Sequence, residues 1–336
     1  MGTGGMGTGG TGTGGMGSPT EWSPATDDTW LRPLGPTPVE THGALSVVGT
    51  NLVDANGNPI QLKGVSSMWL NWEGEGYAEN AEALVWMRDH WNIALVRAAM
   101  GVEPEGAYLS DPNRALQQVD RIVTNAVAAG IYVLIDWHDH NAHLNQAKAV
   151  EFFTQVAQKY KDLPNVLYEP FNEPEVIAWP AVKAYHEVAV AAIRAIDPDN
   201  VIILGTPNWS QYVDVAAGSP VAGSNLMYTL HFYACSHTAS LRARAETALS
   251  KGLPLFVTEW GAAAADGGLD GKVCFAEAET WMRWLESKNI GWSAWKLDDC
   301  EPDSTCLLKP GAPVNGGWDS SFLRGHAELV RDELRK

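Results

Sequence analysis

The sequence predicts an α/β fold: a (β/α)8 TIM barrel preceded by a small β-hairpin and a disordered N-terminal tether. Three observations carry this. Short apolar segments alternate with longer helical ones eight times. Those short segments are continuously apolar, as parallel strands covered on both faces must be. No Gly-rich phosphate loop follows the first strand, which sets aside a doubly wound sheet. The 336 residues would allow two domains, but barrels of about 250 residues or more are common as one.

Residues 1–20 (MGTGGMGTGGTGTGGMGSPT) are a Gly/Thr/Met repeat that cannot bury enough surface to offset its conformational entropy. Residues 21–41 continue it, rich in proline and without periodicity. The reading is therefore a linker over 1–41, expected to have joined the chain to an upstream module, and one domain over 42–336. It is not a signal peptide, having neither a basic start nor an apolar centre.

Leu45–Val48, Asn51–Asp54 and the Asn56-Gly57 pair before Ile60 predict the hairpin. Barrel strands are expected at Gln61–Ser66, Ile93–Ala98, Ile131–Asp136, Val166–Glu169, Val201–Gly205, Leu226–His231, Leu255–Glu259 and Gly291–Trp295. Helices are expected at Asn80–His90, Pro112–Ala129, Lys148–Tyr160, Pro180–Ile196, Trp209–Ala216, Ser240–Ser250, Glu277–Ser287 and Ser320–Arg335.

A formal net charge of −17 argues against nucleic-acid and anionic-membrane partners, which bind clustered Lys and Arg. No apolar run approaches the 18 or so residues that a bilayer span needs. Cys300 and Cys306 are close enough to staple one loop, which leaves Cys235 with Cys274. Two disulfides are the favoured reading, with an oxidising, extracellular compartment and a secreted protein; buried reduced thiols are the alternative. The 15 tryptophans outnumber the 7 phenylalanines; most will be packing residues, but flat exposed indoles also stack on sugar rings.

A barrel builds its active site at the C-terminal ends of its strands. There the sequence offers Arg97 after the second strand, Trp137-His138 after the third and Asn172-Glu173-Pro174 after the fourth. His231 and Tyr233 follow the sixth, Glu259-Trp260-Gly261 ends the seventh and Trp295 ends the eighth. Strands four and seven face each other across the barrel, so Glu173 and Glu259 should meet over its mouth. Glycosidic cleavage needs such a pair, one carboxyl to protonate the leaving oxygen and one on the opposite side of the anomeric carbon. A separation of about 5–5.5 Å would mean retention. Like-charge repulsion at that range should raise one carboxyl, and the acid role is assigned to Glu173.

Phe171-Asn-Glu-Pro174, His231-Phe-Tyr233 and Thr258-Glu-Trp-Gly261 resemble glycoside hydrolase family 5. Leu62-Lys-Gly-Val-Ser-Ser67, Val96-Arg-Ala-Ala-Met100, Ile135-Asp-Trp-His138 and Gly205-Thr-Pro-Asn-Trp-Ser-Gln211 narrow the resemblance to the bacterial endoglucanases (cellulases) of subfamily 2. It runs from about Leu45 to the C-terminus. The resemblance implies a retaining endo-β-1,4-glucanase acting on β-1,4-glucan; a monomer is expected, and no metal or organic cofactor is needed because two carboxylates suffice for the displacement. Glu173 would be acid/base and Glu259 nucleophile; Asn172 would bond the 2-hydroxyl and Arg97 would orient Glu259. Tyr233 would donate to the nucleophile, and His138 and His231 would bond the sugar or neighbouring carboxylates. Trp295 would floor the −1 sugar, with Trp72 and Trp209 as platforms further along.

Three departures touch the glycone side. Met68 and Trp69 stand where many relatives carry a histidine, so Trp69 becomes a candidate stacking residue. Gly101 replaces a frequent aromatic. In the loop after the eighth strand, Lys296, Glu301 and Asp303 are the candidates for contacts that relatives make with a Lys and a Glu. A mannanase or xyloglucanase on this scaffold is the alternative enzyme. A carbohydrate-binding module without catalysis is the alternative from another class.

Overall fold

In the computed structural model, residues 22–24 and 27–336 are described; the Gly/Thr/Met repeat assigned to the tether lies outside them. The first helix, α1 (Pro38–His42), starts where Thr37 and Glu40 form a reciprocal cap with Pro38 behind it. Much of the stretch assigned to the linker is thereby built into the barrel. Asp28 accepts from Arg331 (2.7 Å), Arg32 N donates to Asp89 O (2.7 Å) and Val39 N to Gly130 O (3.0 Å). Main-chain and charged contacts anchor this segment, so no apolar period marks it.

The predicted hairpin pairs β1 (Ser46–Val48) with β2 (Asn51–Val53). Its Leu45 and Leu52 join Leu95, Leu134, Leu167, Ile203, Met227 and Phe256 in an apolar layer inside the barrel floor. The barrel strands are β3 (Lys63–Ser67), β4 (Leu95–Gly101), β5 (Tyr132–His138), β6 (Val166–Glu169), β7 (Ile202–Leu204), β8 (Leu226–Thr229), β10 (Leu255–Gly261) and β11 (Trp292–Leu297). All eight pair in parallel, and the β10–β11 and β11–β3 pairings close the ring. A two-residue strand, β9 (Phe232–Tyr233), extends β8 along β10.

Alternation sorts each strand into two faces. On β5, Val133, Ile135 and Trp137 face the helices, while Tyr132 and Leu134 face the floor layer. Continuing inward, Asp136 and His138 come at the mouth. The helical ring comprises α2 (Ala81–His90), α3 (Pro112–Ala129), α4 (Gln146–Tyr160), α5 (Trp179–Arg194), α6 (Pro207–Ser210), α7 (Val213–Ala216), α8 (Ala239–Ser250), α9 (Phe275–Ser287) and α10 (Ala327–Leu334).

Two helices differ from expectation. The stretch expected as one helix over Trp209–Ala216 is broken, because Asn208, Trp209 and Ser210 take left-handed φ values of 59°, 55° and 55°. Trp209 N donates to Pro174 O (2.8 Å) and Asn208 N to Glu175 O (2.9 Å). These bonds fasten this unfavourable backbone to the loop that carries Glu173. The last helix begins at Ala327 rather than Ser320, after Leu323 bridges Leu308. The cysteines pair as expected, Cys235 with Cys274 and Cys300 with Cys306. No helix among the described residues is long and apolar enough to cross a membrane.

Candidate active site

Strict alternation would put Thr258 and Glu259 on opposite faces of β10. The register of β10 against β11 shifts between Val257 and Trp260, and such an irregularity re-aims side chains. Both residues then reach the barrel mouth. Thr258 Oγ1 donates to Glu169 Oε1 (2.6 Å). Glu259 accepts from Tyr233 Oη through Oε1 (2.6 Å) and from Arg97 Nη1 through Oε2 (3.2 Å).

Arg97, on β4, is fully buried and organises the floor of the site. Its Nε donates to Glu169 (2.7 Å), and its Nη2 to Asn172 Oδ1 (2.6 Å) and to Asp136 (2.8 Å). Three carboxylates thus share one guanidinium, whose planar fork suits this task. Burial pushes Asp136 and Glu169 up to about 7, against the pull of Arg97.

His138 Nδ1 faces Asp136 at 2.6 Å and its Nε2 faces Asn172 Nδ2 at 3.3 Å. An amide nitrogen can only donate, so Nε2 accepts and Nδ1 carries the proton. Burial, followed by the charge of Arg97, holds this imidazole neutral, well below its usual range. His231 has the opposite environment. Its Nε2 donates to Thr258 Oγ1 (2.7 Å), whose own proton is spent on Glu169, and its Nδ1 meets Glu173 Oε1 at 2.7 Å.

Glu173 leaves 13% of its side chain exposed, and its Oε2 lies 3.4 Å from His140 Nε2. Burial alone would favour the neutral acid. Hydrogen bonds from His140 and His231 instead hold Glu173 well below the usual carboxylate range. The expectation that Glu173 is the raised carboxyl is corrected accordingly: two histidines outweigh burial. An oxygen of Glu173, a ring nitrogen of His231 and an oxygen of Glu259 lie within 4.8 Å of one another. The same trio would be a donor set for a cation, were His231 Nδ1 and Glu173 Oε1 not already joined.

The aromatic residues extend the site to both sides. Trp295 stacks on His138 (5.3 Å, 8°), while Trp69 meets His138 edge-on (4.3 Å) and Trp72 at 4.7 Å. Trp72 is 55% exposed. Trp209 lies on the other side, lining a cavity of about 310 Å³ with Gln211, His237, Ala265 and the two glutamates. Lys296 Nζ pairs with Asp303 (2.8 Å) beside the Trp295 ring, whereas Glu301 turns outward to Arg324.

Gly101 follows from Asn71 and Trp69 together. A Cβ there would come within 2.9 Å of the Trp69 ring and 2.0 Å of Asn71 Oδ1. The Asn71 amide, with the Trp69 indole behind it, thus fills the space that a side chain at 101 would need. Gly101→Ala is expected to cost about 1–3 kcal/mol by overpacking, measurable by urea unfolding. An unaltered midpoint would mean that Trp69 and Asn71 are free to move aside.

The candidate site residues are placed at this mouth or its rims, except Glu301, which is drawn away to Arg324. Sequence reasoning passed over His140, although it sits two residues after His138, and over His237, and it quoted Gln211 only as the end of a motif. It quoted Asp136, Glu169 and Thr258 only as parts of motifs. A charged side chain inside an otherwise apolar strand was the signal for the first two.

A family model for cellulase (glycosyl hydrolase family 5) matches residues 53–301. The chain is 43% identical to an endoglucanase of Clostridium saccharobutylicum over 299 residues, 87% of this chain. It is 42% identical to endoglucanase Z of Dickeya dadantii strain 3937 over 280 residues, 80% of this chain. It spans 65% of the length of each of these curated relatives. The catalytic domain of Thermobifida fusca endoglucanase Cel5A superposes with a TM-score of 0.84 at 33% identity, covering 89% of this chain and 100% of that one. The same domain with a Glu-to-Gln change has been solved in complex with cellotetraose. A barrel whose mouth gathers two glutamates, and a family model matching through both of them, lead to one assignment: the chain belongs to the cellulase family, glycosyl hydrolase family 5.

Proposed function

We propose that the chain is a retaining endo-β-1,4-glucanase of the bacterial subfamily 2 type, secreted, monomeric and acting on cellulose and related β-glucans. The observation that carries this is the Glu173–Glu259 pair. Oxygens of the two carboxylates lie within 4.8 Å, near the spacing of retaining enzymes and too close for a water held between them.

The chemistry follows from the partners. Glu259, fixed by Tyr233 and Arg97, attacks the anomeric carbon. As that bond forms, the glycosidic bond breaks and Glu173 delivers its proton to the departing oxygen. Water then attacks the glycosyl-enzyme, gives its proton to Glu173 and frees Glu259. Tyr233 remains a donor throughout, because burial and then the charge of Glu259 push its phenol well up. Asn172 Nδ2 has a second hydrogen beyond the one on His138, and we assign it to the 2-hydroxyl of the sugar under attack. Trp295 is assigned to the −1 floor, Trp69, Trp72 and Lys296 to the glycone side, and Trp209 to the leaving side. The two disulfides suit an oxidising exterior.

The test is hydrolysis of cellopentaose followed by proton NMR. The β-anomer of the new reducing end should appear first, with products from internal cuts. First appearance of the α-anomer would mean single displacement and end this reading. Unbranched β-glucan should also be cut faster than mannan or xyloglucan.

A further inference from the structure

The acid/base carboxyl has two oxygens, and the structure treats them differently. Oε1 is held from below by His231 at 2.7 Å, and that ring is buried. Oε2 has His140 as its partner at 3.4 Å, and that ring is one-third exposed at 34%. The longer contact and the more exposed partner make Oε2 the oxygen more readily released to a glycosidic oxygen. His140 therefore occupies the more loosely held oxygen of the pair.

The loop carrying His140 is built against Glu173 itself. Glu173 N donates to Asp139 O (3.4 Å). The buried Asp139 carboxylate accepts from Asn141 N (2.7 Å) and Asn145 Nδ2 (3.4 Å), which pins the turn. Trp69 closes over the His140 ring edge-on at 5.9 Å. The groups acting on the ring are Glu173 and Glu175 beyond β6, Glu259 on β10 and His138 on β5. The three carboxylates favour its cationic form and outweigh the effect of burial.

We propose that His140 is a positioning residue for the acid/base: it holds Glu173 Oε2 oriented and ionised while the cleft is empty, and yields that oxygen to the leaving group when a glucan chain binds. Losing the His140 hydrogen bond at that moment raises the proton affinity of Glu173. The carboxyl then takes the proton it shares with His231 and becomes an acid only under the bond to be broken. His140 thus acts through Glu173. The inference rests on the acid/base reading of Glu173 given above.

Aryl β-cellobiosides with leaving groups from phenol to 2,4-dinitrophenol separate these roles. Dinitrophenolate departs without protonation, and phenolate does not. Glu173→Ala, the reference, should lose about 100-fold or more in kcat/KM on the phenyl substrate and little on the dinitrophenyl one. His140→Ala should lose about tenfold on the phenyl substrate, stay within about twofold on the dinitrophenyl one, and move the basic limb of its kcat/KM profile to higher pH. His140→Gln, which keeps an N–H donor, should recover most of the phenyl rate. Equal losses of His140→Ala on both substrates, or an unmoved basic limb, would overturn the role of His140 while leaving that of Glu173 intact. A Glu173→Ala variant indifferent to the leaving group would instead remove the acid/base reading beneath it.

Discussion

Replacing Glu259 by alanine is expected to lower kcat on β-glucan by about four orders of magnitude or more, a barrier increase of roughly 5.5 kcal/mol. The size follows from removing the covalent step rather than weakening a contact. The fold should survive. Arg97 keeps Glu169 at 2.7 Å and Asp136 at 2.8 Å, so no buried charge is stranded. Tyr233 loses one acceptor, a cost of about 1 kcal/mol. The emptied position beneath the sugar also admits a small anion. Azide should therefore restore turnover of an activated cellobioside, and the product should be the α-glycosyl azide, from one displacement on that face. Glu173→Ala with azide should give the β-product through the intact nucleophile. Obtaining the β-azide from Glu259→Ala, or an unchanged rate without azide, would assign the nucleophile elsewhere.

How much of this was legible in the sequence depends on whether a feature is local. The strands were, because a parallel strand buried on both faces must be continuously apolar; Val166–Glu169 is found as expected. The meeting of Glu173 with Glu259 was legible too, since barrel topology carries the C-terminal ends of all eight strands to one mouth, although β6 and β10 stand three places apart in the ring rather than opposite. Features set by a third partner were not. Thr258 beside Glu259 depends on a register shift in β10 that no pattern marks. The ionised state of Glu173 depends on imidazoles arriving from the β5 and β8 loops, so a rule based on the two glutamates alone gave the wrong direction. The break at Trp209 depends on main-chain bonds to the Glu173 loop that override an amphipathic stretch. Gly101 stood out in sequence only as a missing aromatic; that Asn71 and Trp69 fill its space is visible only in the fold.

The second large effect concerns Arg97, where stability and catalysis share one group. Arg97→Met should cost about 3–5 kcal/mol, the usual consequence of leaving buried partners uncompensated, and should reduce kcat about 1000-fold by releasing Glu259 and Asn172. The stability loss should also depend on pH in a definite sense. Asp136 and Glu169 sit near 7 in the folded protein because burial opposes their ionisation, against about 4 in an unfolded chain. Between those values the folded state binds more protons than the unfolded one, so these groups make stability fall as pH rises through that window. Arg97 limits the fall by drawing both carboxyls down. Without it their folded values climb further and the window extends above 7. The gap between wild type and Arg97→Met should therefore be small near pH 5, where both acids can be neutral, and wide at pH 8. Urea unfolding at the two pH values reads this directly, and an equal gap at both would mean that the carboxylates do not depend on Arg97 for their charge. Arg97→Lys keeps the cation but not the planar fork that reaches Asp136, Glu169, Asn172 and Glu259 together. It should narrow the pH 8 stability gap and leave most of the activity unrecovered, because compensation needs only charge whereas holding Glu259 in line needs direction.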